Sequence, residues 1–266
     1  MNPDTPVVIL CGGKGTRIRE ASESLPKAMV EIGGRPIAWH IMKSYREAGY
    51  RRFILCLGYK SWAIKEYFLD YRARSADFTL SMAEKHRIDF HDTSVGEDFE
   101  ITFAETGLET ATGSRVRMIK QYVDTENFFL TYGDGVGTVD INKLAAEHEA
   151  SGKVGTVTGV HPTSKFGEMQ VEGNRVVEFN EKPTQVTGFV SGGFFAFKKE
   201  FLDSYLGADG DADVWLEHEP LQKLARDGEL NVHRHEGFWS AMDTFKDYEY
   251  LNGLWAKDKA PWKTWA

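Results

Sequence analysis

A glycine-rich turn and two cations near the N-terminus are the residues of this sequence best suited to chemistry. Leu10-Cys11-Gly12-Gly13-Lys14-Gly15-Thr16-Arg17 follows an apolar run, and Lys27 stands ten residues beyond Arg17. Glycines at a strand end let backbone N–H groups close on an anion at low steric cost. Arg17 offers a planar fork for bidentate phosphate contacts, and Lys27 a compact point charge. Taken singly, the glycines equally suit a tight strand-to-helix connection, and either cation a solvated surface. The dinucleotide fingerprint fails at Ile18, where a third glycine is needed, and the GxxxxGK[ST] loop fails because Gly15 follows Lys14. Two carboxylates stand out further on. Asp134, in Gly133-Asp134-Gly135 after an apolar run, suits a turn former as well as a metal ligand; Asp243 suits a helix N-cap as well.

The elements that must position these groups alternate in the first half. Val7 to Cys11, Phe53 to Leu57 and Asn127 to Tyr132 read as buried strands, with Asp77 to Met82 and Glu100 to Ala104 as further strands. Between them Ile37 to Ala48, Ser61 to Tyr71 and Arg115 to Tyr122 have helical spacing, the pattern of βαβ units and a mostly parallel sheet. The second half holds shorter strands, Thr156 to Val160, Glu168 to Val171, Val176 to Phe179 and Gly193 to Phe197, with Gly173-Asn174 as a hairpin turn. Helices are expected at Lys199 to Leu206, Glu219 to Asp227 and Phe245 to Trp255. The reading is one α/β domain over 1–266, a Rossmann-like core whose later part carries a smaller antiparallel insertion.

Composition narrows the class of partner. The 266 residues carry 40 acidic against 32 Lys and Arg side chains, a net charge of -8, which disfavours a nucleic-acid surface. No apolar run is long enough to span a membrane, and Met1 to Pro6 is too short and polar for a signal peptide, so a cytoplasmic protein is expected. Cys11 and Cys56 sit in or just after apolar runs and are read as reduced core thiols.

Gly12 to Arg17 taken with Pro26-Lys27 resembles the GGxGTR…PK signature of sugar-1-phosphate nucleotidylyltransferases. The likeness covers nearly the whole chain. Met29 to Ile37, Trp39 to Met42, Gly58-Tyr59-Lys60, Ile64 to Phe68 and the tail Ala260 to Trp265 are similar to the glucose-1-phosphate cytidylyltransferase branch. The resemblance implies a mixed, mostly parallel sheet flanked by helices, with nucleotide binding in residues 1–135 and sugar binding and oligomerisation in 136–266. It implies Mg²⁺-dependent transfer from CTP to glucose 1-phosphate, giving CDP-glucose for dideoxysugar and surface-polysaccharide synthesis. The alternatives are uridylyl or thymidylyl transfer to the same or another hexose 1-phosphate, or a silent sugar-nucleotide-binding subunit. An NAD(P) oxidoreductase is disfavoured by the failed fingerprint.

The same resemblance assigns roles. In such a transfer two strongly negative groups must meet, so cations come first. Arg17 would stabilise the departing pyrophosphate and Lys27 bridge the α-phosphate and the incoming phosphate. Asp134 and Asp243 would hold Mg²⁺. The nucleotide falls to Leu10, Gly12, Gly13, Lys14, Gly15, Thr16, Arg17, Lys27, Thr110, Arg115 and Gly133; read without the family, Arg115 is a helix-start surface residue. The sugar phosphate falls to Gly167 beside Phe166, to Glu181 and Lys182 of Glu181-Lys182-Pro183, and to Gly193, where a glycine pair admits close backbone approach. Ser191 in place of the usual Asn, Ala28 in place of Pro and Lys14 at an apolar position depart from the pattern and leave base and sugar preference open. His233 and His235 are read as structural, lacking a third ligand at useful spacing. Trp255, Trp262 and Trp265 crowd the C-terminus, which predicts a subunit contact and a homo-oligomer.

Overall fold

The computed structural model describes residues 1–13, 25–83, 87–92, 96–161, 168–172, 175–180, 188–208 and 210–265. In chain order the strands that build the site are β1 (Val7–Leu10), β2 (Arg52–Leu57), β3 (Glu100–Glu105), β4 (Asn127–Tyr132), β5 (Gly135–Gly137), β6 (Gly155–Val160), β7 (Glu168–Glu172), β8 (Arg175–Asn180), β9 (Val190–Lys198), β10 (Leu230–His235) and β11 (Trp239–Ala241). The main helices are α1 (Ile37–Glu47), α2 (Thr112–Met118), α3 (Ile141–Ser151), α4 (Glu219–Arg226) and α5 (Phe245–Ala256).

Seven strands form the central sheet in the order β10-β6-β9-β4-β1-β2-β3. Every pairing is parallel except those of β9, which runs antiparallel to both β6 and β4. The expected mixed, mostly parallel sheet is therefore present, and strands of both halves of the chain belong to it. Hydrophobic residues on β1 alternate between its faces: Val7 and Ile9 join one core layer, Val8 and Leu10 the other. Phe53 and Leu55 of β2 follow the first pair, and Ile54 and Cys56 the second, so helices must cover both faces. The β7–β8 hairpin is the smaller antiparallel unit; its expected turn, Gly173-Asn174, lies outside the described residues.

The chain leaves β1 toward β2 and β3 on one side and later enters β4 on the other. Strand order thus reverses at the β1/β4 boundary, and the crevice beyond the carboxyl ends of strands at such a point is where α/β sheets bind ligands. Leu10 to Gly13 and Tyr132 to Asp134 emerge there.

Two departures from the expected helices stand out. The helix expected at Arg115 to Tyr122 starts at Thr112 and stops at Met118, before a separate turn at Lys120–Tyr122. Helix α3 is additional, opened by Asp140, whose carboxylate accepts from Lys143 N–H, and closed by Gly152 at φ 65°.

The tryptophan argument for a subunit contact is overturned. Trp262 and Trp265 are 1% and 8% exposed within this one chain, because α5 and the tail fold back on α1. His40 is at the centre, its ring edge-on to Trp255 at 4.8 Å and to Trp39 at 5.1 Å, with the Trp262 indole N–H donating to Nδ1 at 3.4 Å. Burial lowers the pKa of His40 to about 4, and that of His148, on the buried face of α3, to about 4. Between that value and the ordinary 6.5, the unfolded chain binds protons that the folded chain refuses. Stability is therefore complete above pH 6.5 and drains as pH falls toward 4, at a limiting slope of about 1.4 kcal/mol per unit for each histidine. Thermal unfolding at pH 7.5 and 5.5 checks this; equal melting temperatures would contradict it.

Candidate active site

Lys27 opens a short 3-10 turn, Lys27–Met29, after the extended Pro26, and its stem is largely buried. Its Nζ donates to Asp134 Oδ2 at 2.6 Å and to Asp243 Oδ1 at 2.5 Å. Burial pulls the lysine pKa down, but the two carboxylates outweigh it and the net shift is upward, so the ammonium is kept.

Separate elements bring the carboxylates together. Asp134 leaves β4 through Gly133, whose N–H donates to Leu10 O at 3.1 Å and where a Cβ would come within 2.8 Å of that oxygen. The β5–β11 pair, with Gly135 opposite Ala241, then carries Asp243 beside Asp134, and Met242 N–H donates to Asp134 O at 2.8 Å. The helix-cap reading of Asp243 is set aside by this geometry. Thr244 caps α5, with a reciprocal bond to Asp247, which leaves the Asp243 carboxylate directed at Lys27. Asp134 stands in the expected turn, and from there its carboxylate also meets Lys27.

The donor set suits Mg²⁺. Carboxylate oxygens of both aspartates converge on one atom, Nζ, and Mg²⁺ is commonly held by one or two carboxylates plus substrate phosphates.

These groups border an open cavity of about 390 Å³ lined by Leu10, Gly12, Gly13, Lys27, Thr110, Arg115, Gly133 and Asp134, the described residues that the sequence assigned to nucleotide and metal apart from Asp243. Tyr132 and Trp215 also line it. Neither was singled out from the sequence. Trp215 carried one available signal, an aromatic in the short apolar stretch Val214 to Leu216 between acidic residues. Lys14, Gly15, Thr16 and Arg17 lie outside the described residues, as do Gly167, Glu181 and Lys182.

Arg115 is not the surface residue its position alone suggested. It is 5% exposed, and its guanidinium donates to Leu57 O, Thr106 Oγ1 and Gly107 O at 3.0, 2.8 and 2.8 Å and to Leu108 O at 3.2 Å. Those bonds hold the loop leading to Thr110. A Cβ at Gly12 would stand 2.3 Å from Arg115 Cζ, and one at Gly58 would stand 2.7 Å from Gly107 O. The guanidinium cannot retreat without breaking several charge-assisted bonds, each worth about 1.5–3 kcal/mol. Gly12→Ala should accordingly weaken nucleotide affinity about tenfold and cost about 1–3 kcal/mol of stability. Calorimetric titration with CTP and a melting curve measure both, and parent-like values would show a yielding wall.

Gly193, assigned to the sugar phosphate, lies buried on β9, where the missing side chain makes room for protein neighbours. Gly193 has φ +77°, and a Cβ there would meet Tyr132 Cδ2 at 2.6 Å; at Gly192 it would meet Val160 Cγ1 at 2.6 Å. His233 Nδ1 and Glu147 Oε2 are 2.7 Å apart, and His235 Nε2 is 3.1 Å from Phe238 O, so both rings have partners in the fold. Cys11 and Cys56 are free and buried; burial pushes the Cys56 thiol up to about 12 and raises that of Cys11.

Comparison with known proteins agrees with this picture. The family model described as nucleotidyl transferase matches residues 6–255. The chain is 46% identical to a glucose-1-phosphate cytidylyltransferase of Salmonella typhi, over 97% of this chain and 98% of that one. It is 44% identical to a probable glucose-1-phosphate cytidylyltransferase of Bacillus subtilis, over 97% and 99%. Among solved structures, HddC from Yersinia pseudotuberculosis complexed with GMP-PN superposes with a TM-score of 0.68 at 22% identity, covering 94% of this chain and 99% of that one. The inositol-1-phosphate CTP transferase of T. maritima superposes at 0.65 and 19% identity, covering 100% and 99%; both likenesses concern the fold. From the switch-point crevice, the paired aspartates and these near full-length matches, the chain belongs to the nucleotidyl transferase family, in the branch of the glucose-1-phosphate cytidylyltransferases, and is a nucleotidyltransferase.

Proposed function

We propose that the protein transfers the cytidylyl group of CTP to α-D-glucose 1-phosphate, releasing pyrophosphate and forming CDP-glucose. One observation carries the reading: Lys27 Nζ stands between two carboxylates at the edge of a glycine-walled cavity. The sugar-phosphate oxygen forms the new bond to the α-phosphorus as the bond to pyrophosphate breaks, and repulsion between the two anions is the main barrier. Lys27 places a fixed positive charge where they meet. Gly12, Gly13 and Gly133 let the backbone approach the nucleotide, and Arg115 keeps its wall in place. Asp134 and Asp243 would hold Mg²⁺, which when bound neutralises phosphate oxygens. Arg17 is assigned to the departing pyrophosphate, and Glu181 and Lys182 to the sugar phosphate.

The reading extends to a cytoplasmic protein whose product enters dideoxysugar and surface-polysaccharide synthesis; the homo-oligomer no longer has the tryptophans behind it, and sedimentation of the purified protein reads its size. The activity is tested by incubating the protein with glucose 1-phosphate, Mg²⁺ and each common nucleoside triphosphate in turn, and measuring pyrophosphate. The highest kcat/KM belongs to CTP. A preference for UTP or dTTP would overturn the base assignment, and no release with any of them would overturn the activity.

A further inference from the structure

Segment 211–217 reaches the cavity at Trp215 and is tied to one wall. Asp213 Oδ2 accepts from Ala111 N–H at 2.8 Å, Val214 exchanges bonds with Ser114 at 2.9 and 3.1 Å, and Leu216 N–H donates to Thr112 Oγ1 at 3.0 Å. Glu217 closes the arrangement. Its Oε2 accepts from Thr112 Oγ1 at 2.8 Å and its Oε1 from Tyr132 Oη at 2.5 Å, so one carboxylate joins the start of α2 to the end of β4, two residues before Asp134. Gly113 lets the strap lie close, since a Cβ there would meet Val214 Cγ1 at 2.6 Å.

The strap carries Trp215, which lines the cavity yet remains 54% exposed. An aromatic ring held at a pocket mouth by a fastened segment is a surface for a flat partner. Phosphates placed at Lys27 and Asp134 leave the base the wall of Leu108, Glu109, Thr110 and Thr112, the wall to which the strap is fastened. We propose that Trp215 covers the pyrimidine base of the bound nucleotide, and that Glu217 is a positioning residue that fixes the strap across the two walls. This rests on the nucleotidyltransferase reading above and names a base contact within it.

The test is equilibrium binding of CTP without sugar phosphate, together with steady-state kinetics, for the parent protein, Trp215→Ala, Trp215→Phe, Glu217→Ala and Glu217→Gln. Stacking of a base on an aromatic ring places the expected loss for Trp215→Ala at about tenfold or more in CTP affinity. Trp215→Phe restores most of it, while kcat and the KM for glucose 1-phosphate change less than about twofold. Glu217→Ala raises the CTP KM about fivefold with kcat kept, and Glu217→Gln, which still accepts from Tyr132, recovers part of it. Unchanged CTP affinity in Trp215→Ala, or a KM shift confined to glucose 1-phosphate, would overturn the assignment. A parent protein that binds no CTP would overturn the nucleotidyltransferase reading itself, and that result is separate.

Discussion

Lys27→Ala lowers turnover about 10²- to 10³-fold, the range seen when one preorganised charge is removed from a reacting centre, while the fold and melting temperature stay near those of the parent. The carboxylates that Lys27 meets are 30% and 42% exposed, so water replaces the ammonium, and a partly exposed ion pair contributes at most about 1 kcal/mol. The two effects therefore separate. A second readout follows from geometry: Nζ stands within 2.6 Å of both carboxylates, on the point where a cation shared by them would sit. Removing it should tighten divalent-cation binding in the absence of nucleotide, measured by calorimetry with Mn²⁺. Parent-like turnover would end the catalytic assignment of Lys27. Lys27→Arg is not expected to rescue, because a planar fork cannot occupy a site built for a compact charge.

Asp243→Ala lowers turnover by a similar about 10²- to 10³-fold and raises the Mg²⁺ concentration for half-maximal rate at least about tenfold. Helix α5 keeps its cap, since Thr244 and Asp247 bond each other directly, at 2.9 Å from Thr244 N–H to Asp247 Oδ2 and 3.3 Å from Asp247 N–H to Thr244 Oγ1. The melting temperature therefore moves little. A Mg²⁺ titration with an unchanged midpoint would remove Asp243 from the metal site, whatever happened to kcat.

Much of the frame was readable in the linear chain because it follows from local periodicity. Val7 to Leu10 and Phe53 to Leu57 are apolar on both faces, which only a strand covered by helices on each side satisfies. The Gly133-Asp134-Gly135 turn and the Pro26-Lys27 pair were recognisable by type and order. Elements decided by distant partners were less readable. Helix α2 starts at Thr112 because Asp213 and Val214, about a hundred residues away, take up the polar groups at its start. The three C-terminal tryptophans looked too many for one chain to bury, until α5 and the tail supplied a seat around His40.

The sequence by itself determined which residues carry charge, which backbone positions lack a side chain, and which strands are buried on both faces. Each is a property of a residue with its near neighbours. Only the tertiary structure decided that Asp243 meets Asp134 across 109 positions, that Arg115 turns inward beneath Gly12, and that Trp215 comes to the cavity mouth. Those facts depend on the order in which strands join a sheet, and that order sets distances in space that spacing along the chain does not contain.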